Sequence, residues 1–322
     1  MTTVAIIGAS GFVGTSLANH LAGRGDATIL FTRSRERARH LWPLPNARVV
    51  EVDVRDGAQL AEQLHGVDVL CNFAGILNES GSNGEGFRRA HVDVTAAALA
   101  ACDTARVPRY IHMSALNADP FGPSHYMRSK GEAEALVTAR QSKEAEHELQ
   151  TTIFRPSIIF GPGDDFYNRF DRLLNLAPLV FPLAASSSRF QPVYIGNVVD
   201  ALLRAIDTRD CNGQVLELAG PEIVTLREVV EYVAQHTGRR VQILPLSKSL
   251  GMLQAAILEW VPGKPLSRDN LRSAEVDSVL AGPDGLAQLG IEPVPLGAIV
   301  PNMLARGLQV RYDRYRGDAR RN

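Results

Sequence analysis

A tyrosine and a lysine four positions apart, Tyr126 and Lys130, have the types and spacing needed for proton transfer. Positions four apart lie on the same face of a helix, so the phenol and the ammonium can be held side by side. A nearby cation is expected to lower the pKa of the phenol from its ordinary value of about 10, which makes it a usable general acid or base. The same spacing is common on exposed helical turns, so its meaning depends on the elements around it.

A further hydroxyl for this chemistry is Ser114, in the run Met113-Ser114-Ala115-Leu116. A hydroxyl donor beside the general acid can stabilise a reacting oxygen. Strand side chains alternate between faces, so Ser114 and Ala115 cannot both point towards a substrate, and the register decides between them. If Ala115 takes that position, Ser114 is expected to cap local backbone instead.

The segment Val4–Gly14 has the pattern of a phosphate-binding turn. An apolar run is followed by Gly8, Gly11 and Gly14 and then by a helix-like run at 15–22. Gly8 permits the turn, Gly11 permits close approach of a diphosphate, and Gly14 permits the helix to pack on the strand. Free N–H groups of the first helical turn then face the anion. Because a surface turn rich in glycine would lack these flanks, the segment predicts a dinucleotide site.

Charge at the end of the second predicted strand indicates which dinucleotide binds. NAD-preferring sites place a carboxylate there for the adenine ribose 2′-hydroxyl, but residues 32–35 read T-R-S-R. Arg33 can stack on adenine and, with Ser10, Ser34 or Arg35, bind a 2′-phosphate through charge-assisted hydrogen bonds. We therefore expect NADP(H) as the preferred cofactor and NAD(H) as the alternative, unless these arginines form only a solvated basic face.

The alternation of strand and helix patterns positions these residues. It predicts an α/β fold, a Rossmann doubly wound parallel sheet with helices on both faces and the ligand at the carboxyl ends of the strands. Strands are predicted near 4–7, 28–32, 48–52, 67–73, 109–113 and 151–159, and helices at 11–22, 35–41, 58–64, 87–105 and 130–148.

Proline and glycine break the second half of the chain into shorter elements. We expect residues 1–160 to form the NAD(P)-binding Rossmann domain, with a strand near 189–194 and a helix at 198–206 returning to its sheet within 189–208. Residues 161–188 and 209–322 are expected to form a smaller mixed lid domain for substrate or partner.

With these patterns the chain resembles the short-chain dehydrogenase/reductase superfamily, in its extended or atypical, epimerase/dehydratase-like branch. The matching residues are the glycine turn 8–14, Asp53-Val54, Asn72-Phe73-Ala74-Gly75, Ser114, Tyr126 with Lys130, and Arg155-Pro156 leading to 160–163. The segments 112–116, 128–134, 160–169, 189–194 and 265–270 are most similar to one group, which contains the NADPH-binding accessory subunit of respiratory complex I and its bacterial relatives. The resemblance covers most of the chain.

The resemblance implies a role for each matched residue. Ser10, Gly11, Phe12 and Val13 would cover the pyrophosphate, Asp53 and Val54 would flank adenine, and Ala74 and Gly75 would pass beneath the ribose. Tyr126 and Lys130 would meet the nicotinamide end, and Pro156 and Ser157 would line the nicotinamide amide pocket.

Three functions of different classes are compatible with these residues. The first is an NADP(H)-dependent oxidoreductase acting on a hydrophobic or quinone-like small molecule. The second is a protein that holds NADPH without turnover, as an accessory or assembly protein of a respiratory complex. The third is a nucleotide-sugar epimerase or dehydratase, for which Arg189, Arg268 and Arg272 are candidate diphosphate ligands. The apolar stretches 173–183 and 250–261 favour a hydrophobic ligand or partner, although an ordinary folded lid also contains apolar stretches.

Composition excludes other classes. A net charge of −1 over 322 residues argues against nucleic-acid binding, and the basic segment 306–321 reads as a solvated terminus or a contact with an anionic surface. The scattered cysteines and histidines match no ligand spacing, so no metal is expected. Without a signal region or a membrane-length apolar run, the chain is expected to be cytoplasmic, either free or peripheral at the inner face of the membrane.

Two pairs of acidic residues receive structural interpretations. Asp164 and Asp165 are expected to cap the helix that begins near Phe166. Glu132 and Glu134 are expected to be exposed and to form pairs along their own helix.

Overall fold

The computed structural model describes residues 2–141, 148–177 and 179–304, and the chain divides into two units. The first unit consists of Met1–Pro156, Asn197–Leu218 and Leu280–Ile291. The second consists of Ser157–Gly196, Ala219–Val279 and Glu292–Asn322. Each unit therefore contains segments from separate parts of the sequence.

The strands and helices of the described residues follow in chain order. The strands are β1 (Thr3–Ile7), β2 (Ala27–Thr32), β3 (Ala47–Glu51), β4 (Val69–Asn72), β5 (Arg109–Met113), β6 (Gln150–Pro156), β7 (Ile159–Phe160), β8 (Val180–Leu183), β9 (Arg189–Phe190), β10 (Val193–Tyr194), β11 (Val215–Leu218), β12 (Val224–Thr225) and β13 (Gln242–Pro245). The α-helices are α1 (Phe12–Arg24), α2 (Gly57–Gln63), α3 (Glu85–Arg88), α4 (Val94–Ala105), α5 (His125–Gln141), α6 (Phe166–Leu176), α7 (Ile195–Asp207), α8 (Leu226–His236), α9 (Lys248–Leu258), α10 (Arg268–Ser273) and α11 (Gly285–Gln288).

A seven-stranded parallel sheet forms the centre of the first unit, in the order β11-β6-β5-β4-β1-β2-β3. Its inner strands are nearly continuous apolar runs because helices cover both faces of a sheet of this kind. The chain order reverses between β1 and β4, and such a switch point is where α/β sheets bind ligands, beyond the carboxyl ends of the strands. The predicted Rossmann-like parallel sheet is confirmed.

Two predicted helices differ in detail from those in the structure. Residues 35–41 form a 3₁₀ helix with a kink at Ala38. The predicted helix 87–105 is divided into α3, a π-helical turn over Arg89–Asp93, and α4. Single π turns within helices are frequent at functional sites, and this one contains His91.

The second unit contains three two-stranded ladders, β7 with β10, β8 with β13, and β9 with β12. Its main core includes Phe160, Leu174, Phe181, Val230 and Val300. The segment 189–194, expected to join the central sheet, instead forms β9 and β10, and β11 is the seventh strand of that sheet. Pro192 lies between β9 and β10, where its missing N–H prevents a continuous ladder.

Two segments with apolar runs have exposed side chains in this unit. Leu174, Phe181 and Leu183 are buried, but Leu176 and Leu179 are exposed. Leu250, Leu253, Ile257 and Trp260 are exposed as well. Among the described residues, no helix combines the length and apolarity required to span a bilayer.

Candidate nucleotide-binding and catalytic site

The glycine turn after β1 is packed too tightly for side chains at two positions. Gly8 has a φ of +80°, and a Cβ atom there would lie 2.9 Å from the carbonyl carbon and oxygen of Phe73. A Cβ atom at Gly14 would lie 2.3 Å from the Gly8 oxygen. Because real Cβ atoms do not approach backbone this closely, both positions require glycine for steric reasons.

The first turn of α1 leaves N–H groups available to an anion. Gly11 is the N-cap residue and supplies no side-chain hydrogen bond to the helix. Ser10 and Gly11 are exposed, and Phe12 and Val13 are partly buried. The N–H groups of an uncapped helix and its positive dipole end suit a pyrophosphate at this position.

Three predicted 2′-phosphate ligands follow β2. Arg33 is exposed and forms no hydrogen bond or ion pair with the described residues. Ser34 is held through its backbone, since its N–H donates to Thr32 Oγ1 at 3.2 Å. The Arg35 guanidinium lies over the ring of Trp42, 5.6 Å from its centroid.

An acidic residue that the sequence reasoning missed lies beside these ligands. Glu51 ends β3 opposite Thr32, and its Oε2 accepts a hydrogen bond from the Arg35 backbone N–H at 2.8 Å. A carboxylate here opposes a 2′-phosphate and can accept a bond from a ribose 2′-hydroxyl. The strand pairing of β2 with β3 is the signal that would have found it, because it places residue 51 next to the loop that follows residue 32.

The predicted adenine-flanking residues lie just beyond β3. Val54 is buried, and the Asp53 carboxylate pairs with Arg55 at 2.6 Å. Hydrogen bonds from Arg55 hold the pKa of Asp53 at about 2, so this carboxylate is ionised at neutral pH.

The loop after β4 is anchored to buried polar side chains. Asn72 Oδ1 accepts a hydrogen bond from the Ala74 N–H at 3.0 Å, and its Nδ2 donates to Tyr110 Oη at 2.9 Å. Gly75 follows, and a Cβ atom there would lie 3.4 Å from His91 Nε2 and 3.5 Å from Lys130 Nζ. The chain thus passes directly beside the Lys130 amine.

A chain of hydrogen bonds through His91 connects this loop to α5. The Ile76 N–H donates to His91 Nε2 at 3.2 Å, so the ring proton resides on Nδ1. Nδ1 is 2.8 Å from Ser129 Oγ, which donates to the Tyr126 carbonyl oxygen at 2.9 Å. Burial lowers the pKa of His91 to about 2, with a contribution from the Lys130 charge, so the ring stays neutral.

Lys130 is buried in the second turn of α5. Its Nζ donates a hydrogen bond to the Met113 carbonyl oxygen at 3.0 Å. Burial lowers its pKa to about 8, against a raising effect from Glu134. A mixture of charged and neutral amine near this pH suits a group that takes part in proton transfer.

Tyr126 is one helical turn before Lys130, and its ring contacts the rings of Phe87 and His91 edge-on at centroid distances of 5.9 and 5.6 Å. Burial raises the pKa of its phenol to about 12. The expected lowering of this pKa by Lys130 is wrong for the protein without ligands, because desolvation dominates and the ammonium is directed to Met113.

Ser114 is buried, whereas Ala115 is partly exposed. The Ser114 N–H donates to the Phe154 carbonyl oxygen at 2.8 Å, but its Oγ has no hydrogen-bond partner among the described residues. The interpretation of Ser114 as a backbone cap is therefore wrong. Buried hydroxyls nearly always have a partner, so this one suits a group supplied by a ligand.

The two residues predicted to line the nicotinamide pocket belong to different units. Pro156 is buried at the end of β6 in the first unit. Ser157 belongs to the second unit, where its Oγ donates to the Ser278 carbonyl oxygen at 3.0 Å.

Neighbouring acidic residues serve structural roles. Glu134, expected to be exposed, is buried and accepts three hydrogen bonds from Arg155, the shortest at 2.5 Å. Asp164 Oδ1 accepts from the Tyr167 N–H at 2.8 Å and caps the start of α6. Within the described parts of the chain, no group of three or more His, Cys, Asp or Glu side chains is placed to hold a metal ion.

These features together test whether a nicotinamide dinucleotide fits. The first turn of α1 has no side-chain cap, and the Ser114 hydroxyl has no hydrogen-bond partner among the described residues. Each is a site that a ligand can complete, so the residues of the first unit fit such a cofactor.

Comparison with family models identifies two matches. Residues 8–164 match a family described as NAD(P)H-binding. Residues 116–221 match the 3-beta hydroxysteroid dehydrogenase/isomerase family. Both matches include Ser114 or the segment that follows it, with Tyr126 and Lys130.

Similar curated proteins include subunits of NADH dehydrogenase and an epimerase. The chain is 28% identical over 299 residues to the mouse (Mus musculus) NADH dehydrogenase [ubiquinone] 1 alpha subcomplex subunit 9, mitochondrial, which aligns 90% of this chain and 76% of that protein. For the protein of the same name from Dictyostelium discoideum, also 28% identical, 73% of this chain aligns with 64% of the relative's length. The present chain is also 25% identical to an N-acetyl-alpha-D-glucosaminyl-diphospho-ditrans,octacis-undecaprenol 4-epimerase from Escherichia coli O157:H7, over 84% of this chain and 83% of that protein.

Among solved structures, MoeE5 in complex with UDP-glucuronic acid and NAD has a TM-score of 0.72 and 21% identity. The match covers 95% of this chain and 97% of that one. At this identity the likeness establishes the fold.

Proposed function

Since the chain belongs to the NAD(P)-binding, epimerase/dehydratase-like family of short-chain dehydrogenases/reductases, we propose that it is an NADP(H)-dependent oxidoreductase acting on a hydrophobic or quinone-like substrate. The observation that carries this proposal is the buried Ser114 hydroxyl, which has no hydrogen-bond partner in the described parts of the chain. It follows Met113, whose carbonyl oxygen holds Lys130, and Tyr126 lies one turn before Lys130.

The cofactor would be held by the first unit. The glycine turn and the start of α1 would bind the pyrophosphate, Asp53 and Val54 would flank adenine, and Ala74, Gly75 and Lys130 would contact the nicotinamide ribose. Pro156 would line the nicotinamide amide. When bound, the reduced nicotinamide supplies a hydride to the substrate.

The direction of proton transfer follows from the pKa values. A phenol with a pKa of about 12 is protonated at neutral pH, so Tyr126 is suited to donate its proton to a substrate oxygen. Ser114 Oγ would hydrogen-bond that oxygen, and the Lys130 ammonium would stabilise the phenolate left behind. This arrangement favours reduction of a carbonyl group to an alcohol, with Tyr126 reprotonated from solvent.

NADP(H) rather than NAD(H) is proposed because Arg33 is exposed and available to a 2′-phosphate. The Glu51 carboxylate repels a 2′-phosphate, so the attraction of this phosphate to Arg33 must be stronger than the repulsion. An Arg33→Ala variant is expected to weaken NADPH binding about tenfold or more while changing NADH binding little, measured by nucleotide fluorescence. A Glu51→Gln variant is the matched control and should tighten NADPH binding; equal loss of both nucleotides in Arg33→Ala would contradict the assignment.

The direct test is to purify the protein, release any bound nucleotide and identify it, and then ask whether quinones, ketones or enoyl compounds oxidise NADPH in its presence. Tyr126→Phe should bind NADPH normally and lose turnover by about 10²- to 10⁴-fold. Oxidation of NADPH that persists unchanged in Tyr126→Phe and Ser114→Ala would rule out the proposed chemistry.

A second candidate is a protein that holds NADPH without turnover, as a subunit or assembly factor of a respiratory complex. The hydrogen bond that directs the Lys130 amine to the Met113 carbonyl oxygen favours it, because the amine then points to backbone rather than to the Tyr126 phenol. The relatives named as NADH dehydrogenase subunits support the same role. Tight NADPH that no acceptor oxidises would select this candidate.

A nucleotide-sugar epimerase or dehydratase has less support from the lid residues. Arg189 is paired with Asp277 and Arg268 with Glu259, at 2.8 and 2.9 Å, so two of the three predicted diphosphate ligands are already neutralised. We propose a cytoplasmic location, consistent with three cysteines that are free and buried.

A further inference from the structure

His112 of β5 is a buried side chain that the proposed chemistry does not use. Its ring is 3% exposed and lies parallel to the Tyr110 ring at a centroid distance of 6.1 Å, with Nδ1 3.5 Å from Tyr110 Oη. Its Nε2 is buried and has no hydrogen-bond partner among the described residues. The ring proton can lie on either nitrogen, and in both cases Nε2 needs a partner, an acceptor for an N–H group or a donor for a bare nitrogen.

The Nδ1 side of this ring faces a cluster of buried polar groups. Asn72 Nδ2 donates a hydrogen bond to Tyr110 Oη at 2.9 Å and another to Thr95 Oγ1 at 3.3 Å. All three side chains are buried. Because the two nitrogens lie on different sides of an imidazole ring, His112 Nε2 is directed away from this cluster.

A second buried polar atom without a partner lies two positions further along the same strand. Ser114 is 4% exposed, and its Oγ has no hydrogen-bond partner in the described parts of the chain. The N–H groups of residues 114 and 116 donate to the carbonyl oxygens of Phe154 and Pro156, at 2.8 and 3.0 Å, so the parallel ladder continues beyond β5. Side chains two positions apart on a strand point to the same face, with about 7 Å between their positions. His112 and Ser114 therefore face the same buried layer.

The Lys130 amine approaches this layer from α5. Its Nζ donates to the carbonyl oxygen of Met113, the residue between His112 and Ser114. Burial, with a contribution from the Lys130 charge, lowers the pKa of His112 to about 3, so the ring is neutral at neutral pH. The ring is thus suited to hydrogen bonding rather than to carrying a charge.

We propose that His112 Nε2 and Ser114 Oγ hold one buried water molecule, through which His112 positions the Ser114 hydroxyl. A water molecule that is hydrogen-bonded to both atoms spans about 5.6 Å, which fits side chains at successive same-face positions of a strand. Buried water ordinarily satisfies polar atoms that protein groups leave without a partner. Ser114 Oγ would accept from this water, which leaves the Ser114 proton for the substrate oxygen. The positioning role rests on the proposed oxidoreductase function, whereas the water site does not.

The direct test of the water site is a crystal structure of the full chain, with and without NADPH, at a resolution that shows ordered water. We expect density for one water molecule within hydrogen-bonding distance of both His112 Nε2 and Ser114 Oγ. The same density should be absent from His112→Phe, whose ring has a similar shape but no polar atom. A wild-type map without water between the two atoms overturns the proposal.

Steady-state kinetics with a ketone or quinone that the wild type reduces tests the positioning role. His112→Phe should lower kcat about tenfold with little change in the KM for NADPH, because the Ser114 hydroxyl loses its orientation while the cofactor contacts remain. His112→Gln and His112→Asn are the matched pair, since the Gln amide reaches the position of Nε2 and the Asn amide only that of Nδ1. Gln should recover most of the lost kcat, and Asn should not.

Recovery by Asn as complete as by Gln would assign the role of His112 to its Tyr110 contact and overturn the proposal, as would an unchanged kcat in His112→Phe. Thermal unfolding verifies that the variants are folded, and if His112→Phe is not, the Gln and Asn pair decides by itself. A wild type that binds NADPH but reduces no acceptor removes the proposed function and the positioning role with it. The electron density still decides the water site in that case, so the two failures are distinguishable.

Discussion

At the scale of single residues, His91 connects the two halves of the candidate site. It accepts from the Ile76 N–H at 3.2 Å and contacts Ser129 Oγ at 2.8 Å, so one ring links the loop beside the cofactor to the helix of Tyr126 and Lys130. Its low pKa keeps it neutral, and it cannot transfer protons near pH 7. It is therefore a positioning residue.

A His91→Ala variant should raise the KM for NADPH and lower kcat together, by about 10-fold each, because both the Gly75 loop and Tyr126 lose their common support. Steady-state kinetics measures the two constants separately. His91→Asn, which can still donate and accept, should recover part of the loss. A purely structural role would instead give lower thermal stability with unchanged constants and no rescue by Asn.

Residue types and spacing predicted the glycine turn, Tyr126 and Lys130 from the sequence, but not their electrostatics. The pKa of Tyr126 depends on burial by Phe87 and His91, which are 39 and 35 positions away. Likewise, Glu134 is buried by its pairing with Arg155, a contact between a helix and a strand that no local pattern reports.

At the scale of elements, α1 offers two glycines in contrasting environments. Gly14→Ala would place a Cβ atom 2.3 Å from the Gly8 oxygen, whereas a Cβ atom at Gly23 meets nothing within 4 Å. Gly14→Ala should lower the free energy of unfolding by about 3 kcal/mol and abolish NADPH binding, as overpacking separates α1 from β1. Gly23→Ala should raise the free energy of unfolding by roughly 0.5–1 kcal/mol, because alanine has the higher helix propensity. Urea unfolding measures both; equal effects at the two positions would contradict the packing argument.

Periodicity predicted the central strands well because their apolar runs are long and bounded by turns. It missed the π turn at Arg89–Asp93, since one extra residue in a helical turn barely changes the apolar spacing. It also missed β11, a four-residue strand whose residues pair with residues of β6 that lie 62 positions earlier, as Leu216 does with Phe154. Short strands of this kind are defined by their pairing rather than by their own sequence.

At the scale of the whole molecule, two buried neutral histidines make stability depend on pH. Burial lowers the pKa of His91 to about 2 and of His112 to about 3, against about 6.5 in the unfolded chain. The unfolded state binds more protons as pH falls below 6.5, so stability is lost in that direction down to the folded values. Because of these two groups, the free energy of unfolding should fall by roughly 3–4 kcal/mol between pH 7 and pH 5.

Urea unfolding of the wild type and of His112→Gln at both pH values checks this expectation. The variant should lose about half of the histidine contribution to the pH dependence. His65→Gln, at an exposed position, is the matched control and should behave like the wild type. An identical pH dependence in His112→Gln would show that other groups are responsible.

The late position of β11 in the chain also has a consequence for biosynthesis. As the ribosome extends the polypeptide, β6 is complete at Pro156, but its neighbour on one side, β11, is not finished until Leu218. Throughout that interval the nascent sheet presents an unpaired strand edge, which is a template for intermolecular association. Truncated products that stop between these points are therefore expected to aggregate and to engage chaperones, whereas products that extend past Leu218 contain the strand that pairs with that edge.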